Sequence, residues 1–302
     1  MFALEMEETR PRDAGQSTET QPQFSVRPSP RRLPLLAVLL GLVLGLGAAV
    51  YLLAPIRTNL LLLGVDRRPD ESTTASRSDT LILVTVIPTR PYVGMLSIPR
   101  DLWVDVPGFG PNRINAAYFL AEAELPGSGA RAAVDTVRSN FGVDVHAYAS
   151  LEFTGIVRFV DALGGVDIDL ATATGGYDEG LHHLDGTQAL AFARDRMGSD
   201  DFFRMERGQI LMRSILRSLI RPASWPLWPG AGAALLTSVR TDLPVWDWPR
   251  LALALVRAGS GGIDGRVIGR DMAVGFTTPA GAQVLSPDWS RINPLLLEMF
   301  GQ

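Results

Sequence analysis

The sequence predicts an α/β protein, in which helices pack against a sheet of buried strands. Short apolar runs of strand length alternate along the chain with helical stretches. These runs are continuously apolar, which is typical of central strands covered on both faces. The chain has 302 residues and is 46% apolar, so it can bury a substantial core.

The individual elements follow from the period of the apolar residues. The continuous apolar runs predict strands over 59–65, 80–87 and 92–98, and the segment GVDIDL predicts a further strand over 165–170. Stretches with helical periodicity predict helices over 115–125, 129–141, 152–165, 185–194 and 200–220. Beyond residue 222 we expect a loop rich in proline and tryptophan, two or three apolar helices, and a short strand pair within 265–276.

The N-terminal part of the chain consists of a polar segment and an uncharged one. Residues 1–32 lack apolar periodicity, so we expect a disordered tail. Residues 33–56 carry no charge over 24 positions, which as a helix is enough to cross a hydrocarbon layer of about 30 Å. A cleaved signal peptide is the alternative, but its apolar region is shorter, roughly 7 to 15 residues. We therefore predict an uncleaved transmembrane helix over 33–56.

Arginines flank this uncharged segment unequally. Arg27, Arg31 and Arg32 precede it, and only Arg57 follows closely. Because positive charge is retained on the cytoplasmic side, we predict a single-pass protein of the cell membrane with a cytoplasmic N-terminus. The part outside the cytoplasm is then expected to form a core over 57–221 and a C-terminal helical and β extension over 222–302.

Composition and missing motifs exclude several classes of protein. A net charge of only -4 argues against a dedicated nucleic-acid binder. The absence of cysteine excludes thiolate nucleophiles and cysteine-ligated zinc. The sequence contains no GxSxG, Walker or GxGxxG motif, which excludes serine hydrolases, P-loop ATPases and dinucleotide-binding proteins. The three histidines, His146, His182 and His183, are interpreted as solvated loop residues.

Arginines and aspartates form three clusters at the ends of apolar elements. All 28 basic residues are arginine, whose planar guanidinium pairs bidentately with carboxylate or phosphate. Grouped arginines repel one another, so a bound polyanion such as pyrophosphate would stabilise them. Surface ion pairs of small energetic value are the alternative for any single pair. The clusters contain Asp66, Arg77 and Asp79; Arg100, Asp101 and Arg113; and Arg194, Arg196, Arg204, Arg207 and Gln209.

Seven short segments occur in an order that resembles one known family. They are LLLGVD, SRSDTLILVTV, SIPRDLWV, RINAAY, FVDALGGVDIDL, LDGTQALAFARDR and RMERGQ, between residues 59 and 219. In this order they resemble the LytR-CpsA-Psr (LCP) family of membrane-anchored cell-wall enzymes. The resemblance implies an α/β/α sandwich around a central mixed sheet, preceded by one transmembrane helix. It also implies transfer of a glycopolymer from a polyprenyl-pyrophosphate lipid to peptidoglycan or another cell-wall acceptor, with release of polyprenyl phosphate.

The resemblance also implies roles for individual residues. Asp66 and Asp79 would hold Mg²⁺, or Mn²⁺ in its place. The catalytic group would comprise Asp79, Arg100, Asp101, Arg194 and Arg196. The pyrophosphate would be bound by Arg77, Arg100, Arg113, Arg194, Arg196, Arg207 and Gln209. Asp79 and Asp101 are both candidates for the general base. Two positions depart from the family pattern: no glycine precedes Arg204, and Gly208 occupies a position that is commonly polar.

Two other functions remain open from the sequence. The first is a non-catalytic, membrane-tethered binder or regulator that recognises polyprenyl-linked glycans. The second is an unrelated metal-dependent phosphohydrolase. The tryptophans at 225, 228, 246 and 248 are interpreted as packing of the C-terminal part, with a sugar-stacking surface or an interfacial aromatic belt as alternatives.

Overall fold

The computed structural model describes residues 35–53, 56–65, 78–88, 90–195 and 200–301. The chain divides into two compact units, residues 1–46 and 47–302. The described part of the first unit is helical and apolar, and the second unit contains every strand that the structure describes. The predicted disordered tail, residues 1–32, lies outside the described residues.

Helices and strands alternate through most of the chain. The strands are β1 Thr58–Val65, β2 Ser78–Ile87, β3 Tyr92–Ile98, β4 Trp103–Val106, β5 Gly110–Arg113, β6 Ala147–Glu152, β7 Val166–Leu170, β8 Gly180–Leu184, β9 Val239–Thr241, β10 Ile263–Val267, β11 Ala273–Thr277 and β12 Gln283–Pro287. The helices are α1 Leu35–Leu53, α2 Ala116–Glu124, α3 Gly129–Phe141, α4 Phe153–Ala162, α5 Gly186–Arg194, α6 Asp201–Ile220, α7 Trp228–Ser238, α8 Asp247–Ala258 and α9 Trp289–Phe300.

Helix α1 occupies most of the uncharged segment of the sequence. It has 19 residues and contains no charged side chain. Among the helices of the described residues, none was identified as long and apolar enough to span a membrane. The transmembrane helix predicted over 33–56 therefore stays a prediction.

The core of the second unit is a six-stranded sheet in the order β10-β3-β2-β1-β6-β9. Strands β1, β2 and β3 pair antiparallel, whereas β6 runs parallel to β1 and β10 runs parallel to β3. The sheet is therefore mixed, which confirms the predicted fold class. The three strands predicted first form its centre, and their observed bounds differ from the predicted ones by two residues at most.

Both faces of the central strands are buried, as their continuous apolar character predicts. Along β2, Leu81 and Leu83 belong to a core that α3 and α9 cover. The alternating residues Ile82 and Val84 belong to a second core, which α8 and part of α6 cover. Successive side chains of a strand point to opposite faces, so a strand with apolar residues at successive positions requires a layer of helices on each side. The resulting architecture is an α/β/α sandwich.

A third apolar core lies beyond the sheet, where α4, α5, α6 and α7 meet the hairpin β7–β8. Helix α4 ends before Gly164 and Gly165, whose positive φ angles of 79° and 92° are readily adopted by glycine, because it has no Cβ. On the hairpin, hydrogen bonds from His183 and Arg221 lower the pKa of the Asp167 carboxyl.

Two details differ from the sequence predictions. The strand pair expected within 265–276 is wrong, because β10 joins the central sheet beside β3 while β11 pairs with β12. The buried Ile263 packs β10 against the core under α8, so this strand extends the sheet instead of forming a local hairpin. His182 and His183 lie on strand β8 and not in a loop, although their side chains do face solvent.

The C-terminal part of the chain takes a direct part in the central sheet. Strands β9 and β10 form its two outer edges, and both come from the region beyond residue 222. Helix α9 buries Ile292 and Phe300 in the core under the central strands. Residues 222–301 therefore complete the central sheet and part of the helical layers that cover it.

Candidate active site

A cavity of about 400 Å³ lies between one face of the sheet and the helices that cover it. Strands β1, β2, β3, β6 and β9 supply one wall, and helices α4, α6, α7 and α8 supply most of the other. Most of the lining is aliphatic or aromatic. Its charged members come from four parts of the chain, which are the start of β2, the residues just after β3, the end of α5, and the start of α6.

These charged side chains form one group, which we call the charged end of the cavity: Asp79, Arg100, Arg194, Asp201 and Arg204. The topology explains why they meet. Strands β2 and β3 are antiparallel, and Leu81 pairs with Ile98, so the beginning of β2 and the residues after β3 lie at the same edge of the sheet. Helix α6 begins at Asp201, which lies 3.1 Å from Arg100, and α5 ends at Arg194, which lies over Phe153 directly after β6. Both helix ends therefore lie at this end of the strands.

Arg100 lies at the centre of the charged end. Its Nη1 donates to Asp79 Oδ1 at 2.9 Å, and its Nε lies 3.1 Å from Asp201 Oδ2 and 3.6 Å from Asp101 Oδ2. Burial alone would lower the pKa of this guanidinium, but the three carboxylates together raise it. The positive charge of Arg100 therefore persists at any physiological pH.

Two more arginines complete the group. Arg204 follows Asp201 by one turn of α6, and its Nη2 lies 2.7 Å from Asp201 Oδ1. The guanidinium carbon of Arg194 lies 4.5 Å from the ring centroid of Phe153, the first residue of α4, which also lines the cavity. A guanidinium over a ring face keeps its charge while contacting an apolar wall. The charged end can thus bind the anionic group of a ligand whose apolar part lies against the neighbouring wall of the cavity.

One face of α6 connects the charged end to the opposite, apolar end of the cavity. Its cavity-lining residues recur at helical spacing: Asp201, Arg204, Met205, Gly208, Leu211, Met212, Ile215, Leu216 and Leu219. From Asp201 to Leu219 the helix rises about 27 Å at about 1.5 Å per residue. A Cβ added at Gly208 would meet no atom within 4 Å, so this glycine leaves the cavity wide one turn beyond Arg204.

Arg207 and Gln209 flank Gly208 on α6 but do not line the cavity. Arg207 is buried, and its Nη2 donates to the backbone oxygen of Asp195. Gln209 is also buried, and its Nε2 donates to Ser97 Oγ at 2.7 Å and to the Arg266 carbonyl at 3.2 Å. Since Ser97 lines the cavity, Gln209 reaches the site through this hydroxyl. Their assignment to the pyrophosphate stays a prediction.

Arg113 reaches the site only through a neighbour. Its Nε lies 3.1 Å from Asp101 Oδ1, and its Nη2 donates to the Gln283 carbonyl at 2.9 Å. Asp101 in turn lies beside Arg100, so the ion pairs form a chain that leads out of the charged end. The other predicted residues, Asp66, Arg77 and Arg196, lie outside the described residues.

The structure adds two residues to those named from the sequence: Asp201 belongs to the charged end, and Phe153 contacts Arg194. It also places Arg204, which the sequence grouped in the third cluster without a role, in the charged end. The segment DDFFR carries an acid and an arginine three positions apart, which on a helix share one face. That spacing was the signal that could have identified Asp201. No sequence pattern identifies Phe153, because its place beside Arg194 depends on the packing of α4 against α5.

Comparison with protein families places this fold and site in a known group. The model of the LytR_cpsA_psr family matches residues 55–269, a stretch that contains every residue of the charged end. The chain belongs to the LytR_cpsA_psr family. The family match confirms the resemblance seen in the sequence motifs.

Individual relatives agree with the family assignment. The chain is 43% identical over 142 residues to the polyisoprenyl-teichoic acid--peptidoglycan teichoic acid transferase TagU of Oceanobacillus iheyensis, which covers 46% of this chain and 43% of that protein. It is 32% identical over 202 residues to the transferase of the same name from Enterococcus faecalis, covering 65% of this chain and 64% of that protein. The chain thus spans 43% to 64% of the length of these two relatives.

A solved structure supports the fold of this LytR_cpsA_psr member. The crystal structure of TagV from B. subtilis superposes with a TM-score of 0.67 at 23% identity, covering 82% of this chain and 98% of that one. At this level of identity the similarity concerns the fold. It confirms the α/β architecture with its central mixed sheet.

Proposed function

We propose that this protein transfers a glycopolymer from a polyprenyl-pyrophosphate lipid to a cell-wall acceptor, a sugar hydroxyl of peptidoglycan, and releases polyprenyl phosphate. The observation that carries the proposal is a cavity in which three arginines and two aspartates occupy one end and mostly apolar side chains line the rest. A lipid pyrophosphate has the same division into an anionic head and a long apolar chain. The names of the relatives from Oceanobacillus iheyensis and Enterococcus faecalis point to the same class of reaction.

In the proposed reaction, the acceptor hydroxyl oxygen attacks the phosphorus atom that carries the glycan. A new phosphorus–oxygen bond forms to the acceptor, and the bond to the bridging oxygen of the pyrophosphate breaks. The leaving group is polyprenyl phosphate, and the hydroxyl proton passes to a carboxylate, for which Asp79 and Asp101 are the candidates. Phosphoryl transfer needs mainly positioning and charge stabilisation, and Arg100, Arg194 and Arg204 supply positive charge for this purpose.

The carboxylates at the charged end fit a hard divalent cation. Asp79 and Asp201 offer oxygen atoms, which Mg²⁺ prefers, and Mg²⁺ is commonly held by one or two carboxylates together with phosphate oxygens. No group of three or more metal-ligating side chains occurs within the described residues, so the substrate would have to complete the coordination. We propose that Asp79 and Asp201 hold the ion, with Asp66 as a further candidate ligand. When bound, Mg²⁺ would neutralise charge on the phosphate oxygens.

We also propose that residues 33–56 anchor the protein in the cell membrane and that the cytoplasm contains only the N-terminal tail. The 24 uncharged residues and the unequal arginines on their two sides support this topology. The site would then lie on the side where cell-wall polymers are assembled. A membrane anchor also suits a donor whose lipid chain resides in the bilayer.

The proposal is tested with the full-length protein in detergent. The protein is incubated with a polyprenyl-pyrophosphate-linked saccharide, a peptidoglycan fragment and Mg²⁺, and polyprenyl phosphate and the phosphodiester product are measured by mass spectrometry. We expect equal amounts of both products and a polyprenyl lipid that copurifies with the protein. Release of polyprenyl phosphate without any phosphodiester product would contradict transfer and favour the phosphohydrolase alternative.

A further inference from the structure

The outer surface around the apolar end of the cavity carries large apolar side chains that face solvent. We call these residues the aromatic surface: Trp225, Leu227, Val245 and Trp246. Val245 and Trp246 are 68% and 66% exposed. Soluble proteins seldom leave such groups of large apolar side chains in water unless the surface binds something.

The aromatic surface belongs to the same segments that form the apolar end of the cavity. Leu243 lines the cavity, and Val245, two residues further along the chain, faces outward. Trp248 lines the cavity two residues after the exposed Trp246. Trp225 packs at 6.0 Å from the ring of Trp228, whose Nε1 donates to the backbone oxygen of Leu219, a lining residue. Only one layer of chain therefore separates the apolar end of the cavity from this surface.

The chain enters the folded unit beside the aromatic surface. Tyr51, in the last turn of α1, donates through its hydroxyl to the Trp246 carbonyl at 2.7 Å and to Asp247 Oδ1 at 2.8 Å. Arg250, one turn into α8, donates to Thr58 Oγ1 at 3.0 Å, which is where β1 begins. The uncharged segment of the sequence thus runs directly into this part of the molecule.

The charged end lies at the opposite end of the strands. Strand β1 has eight residues and extends from Thr58, near Arg250, to Val65, which pairs with Ser78 beside Asp79. At about 3.3 Å per residue, the two ends are separated by roughly 23 Å. The aromatic surface and the phosphate-binding arginines therefore occupy opposite ends of the cavity.

We propose that the aromatic surface rests on the lipid bilayer and receives the polyprenyl chain of the donor directly from it. The inference rests on the proposed function, because it presumes a membrane-anchored protein and a lipid donor. Tryptophan and tyrosine favour the boundary between headgroups and acyl chains, where an apolar ring meets a polar edge. The surface that carries Trp246 is also joined by a hydrogen bond to Tyr51, at the end of the uncharged segment. The lipid chain can then pass from the bilayer into the cavity without crossing water.

Fluorescence quenching in vesicles tests this placement. The full-length protein is reconstituted in phosphatidylcholine vesicles with or without brominated acyl chains, and tryptophan emission is compared for the wild type, Trp246→Phe and Trp103→Phe. Trp103 is the control, because it follows β3 near the charged end. We expect bromine to quench the wild-type emission, and the quenched part to decrease in Trp246→Phe but not in Trp103→Phe. Equal quenching in the two variants would overturn the proposal.

A second variant separates this proposal from the proposed reaction. Trp246→Asp removes the aromatic side chain from an exposed position that takes no part in the charged end. With donor in vesicles we expect at least a tenfold loss of turnover, and with a short-chain, water-soluble donor we expect the wild-type rate. Equal rates with both donors would overturn the bilayer contact but leave the transfer reaction intact. Protection of Trp246 in a concentration-dependent dimer without lipid would assign the surface to a second copy and overturn the proposal.

Discussion

Replacing Arg100 by glutamine should abolish most of the activity while the protein remains folded. The substitution removes the guanidinium that joins Asp79, Asp101 and Asp201 at distances of 2.9, 3.6 and 3.1 Å. The side chain of Arg100 is 25% exposed, so solvent screens its ion pairs in part. Each pair then contributes at most about 1 kcal/mol, and the free energy of unfolding should fall by roughly 1–3 kcal/mol in total.

The effect on the reaction should be larger than the effect on stability. Loss of one preorganised donor to a developing negative charge lowers kcat by about 10²–10³, equivalent to about 2.7–4 kcal/mol. The assay measures polyprenyl phosphate released from a lipid-linked donor, and urea unfolding measures stability in parallel. Arg131→Gln is the matched control, because Arg131 pairs with Asp135 and Asp242 on the surface and does not line the cavity. A release rate in Arg100→Gln within about threefold of the wild type would refute the role assigned to this arginine.

Three further substitutions test the cavity, the packing behind it and the acid stability. Gly208→Leu should lower the affinity for a long-chain polyprenyl pyrophosphate at least tenfold, because the new side chain would narrow the cavity beyond the charged end, but it should leave binding of inorganic pyrophosphate unchanged. Calorimetry measures both affinities. Gly232→Leu is the control, since Gly232 also has open space around it, and it should change neither affinity. Gly265→Ala should lower the free energy of unfolding by about 1–3 kcal/mol, because its Cβ would lie 2.5 Å from Gln209 Oε1; an unchanged urea midpoint would show that Gln209 moves freely. Asp167→Asn should lower the free energy of unfolding at neutral pH, and the difference from the wild type should disappear in acid. The pKa of Asp167 is lowered in the folded protein, so the carboxylate stabilises the fold at pH values above its unfolded pKa of about 3.9, and this contribution is lost as the pH falls through the folded pKa. A difference in the free energy of unfolding that persists at pH 2 would contradict this linkage.

The central strands and most helices could be predicted because their signals are local. The predicted bounds of β3, residues 92–98, are the observed ones. Its continuous apolar residues indicate a buried strand, and the proline that follows marks its end. Strand β10 could not be assigned to the sheet in this way. Its partner is β3, which lies far away in the sequence, and no local pattern records such a pairing.

Part of the charged end could be predicted, because several of its residues follow local sequence signals. Asp79, Arg100 and Arg194 stand at the ends of apolar elements, and the fold brings them together at one edge of the sheet. The sequence grouped Arg204 and Arg207 in one cluster, and on a helix two residues three apart can share a face. In the structure only Arg204 lines the cavity, while Arg207 turns towards Asp195. A spacing of three residues permits a common face but does not determine which of the two side chains meets the cavity and which meets the neighbouring loop.

The origin of the two outer strands has a consequence for how the chain acquires its structure. Strands β9 and β10 close the sheet on either side, and both are synthesised after the four inner strands. Until they arrive, β3 and β6 present unpaired backbone amides and carbonyls, which attract other extended chains. A product truncated before residue 239 would therefore retain two open edges and tend to aggregate. Pairings of this sequence separation also slow folding, so cooperative folding of the domain must await completion of nearly the whole chain.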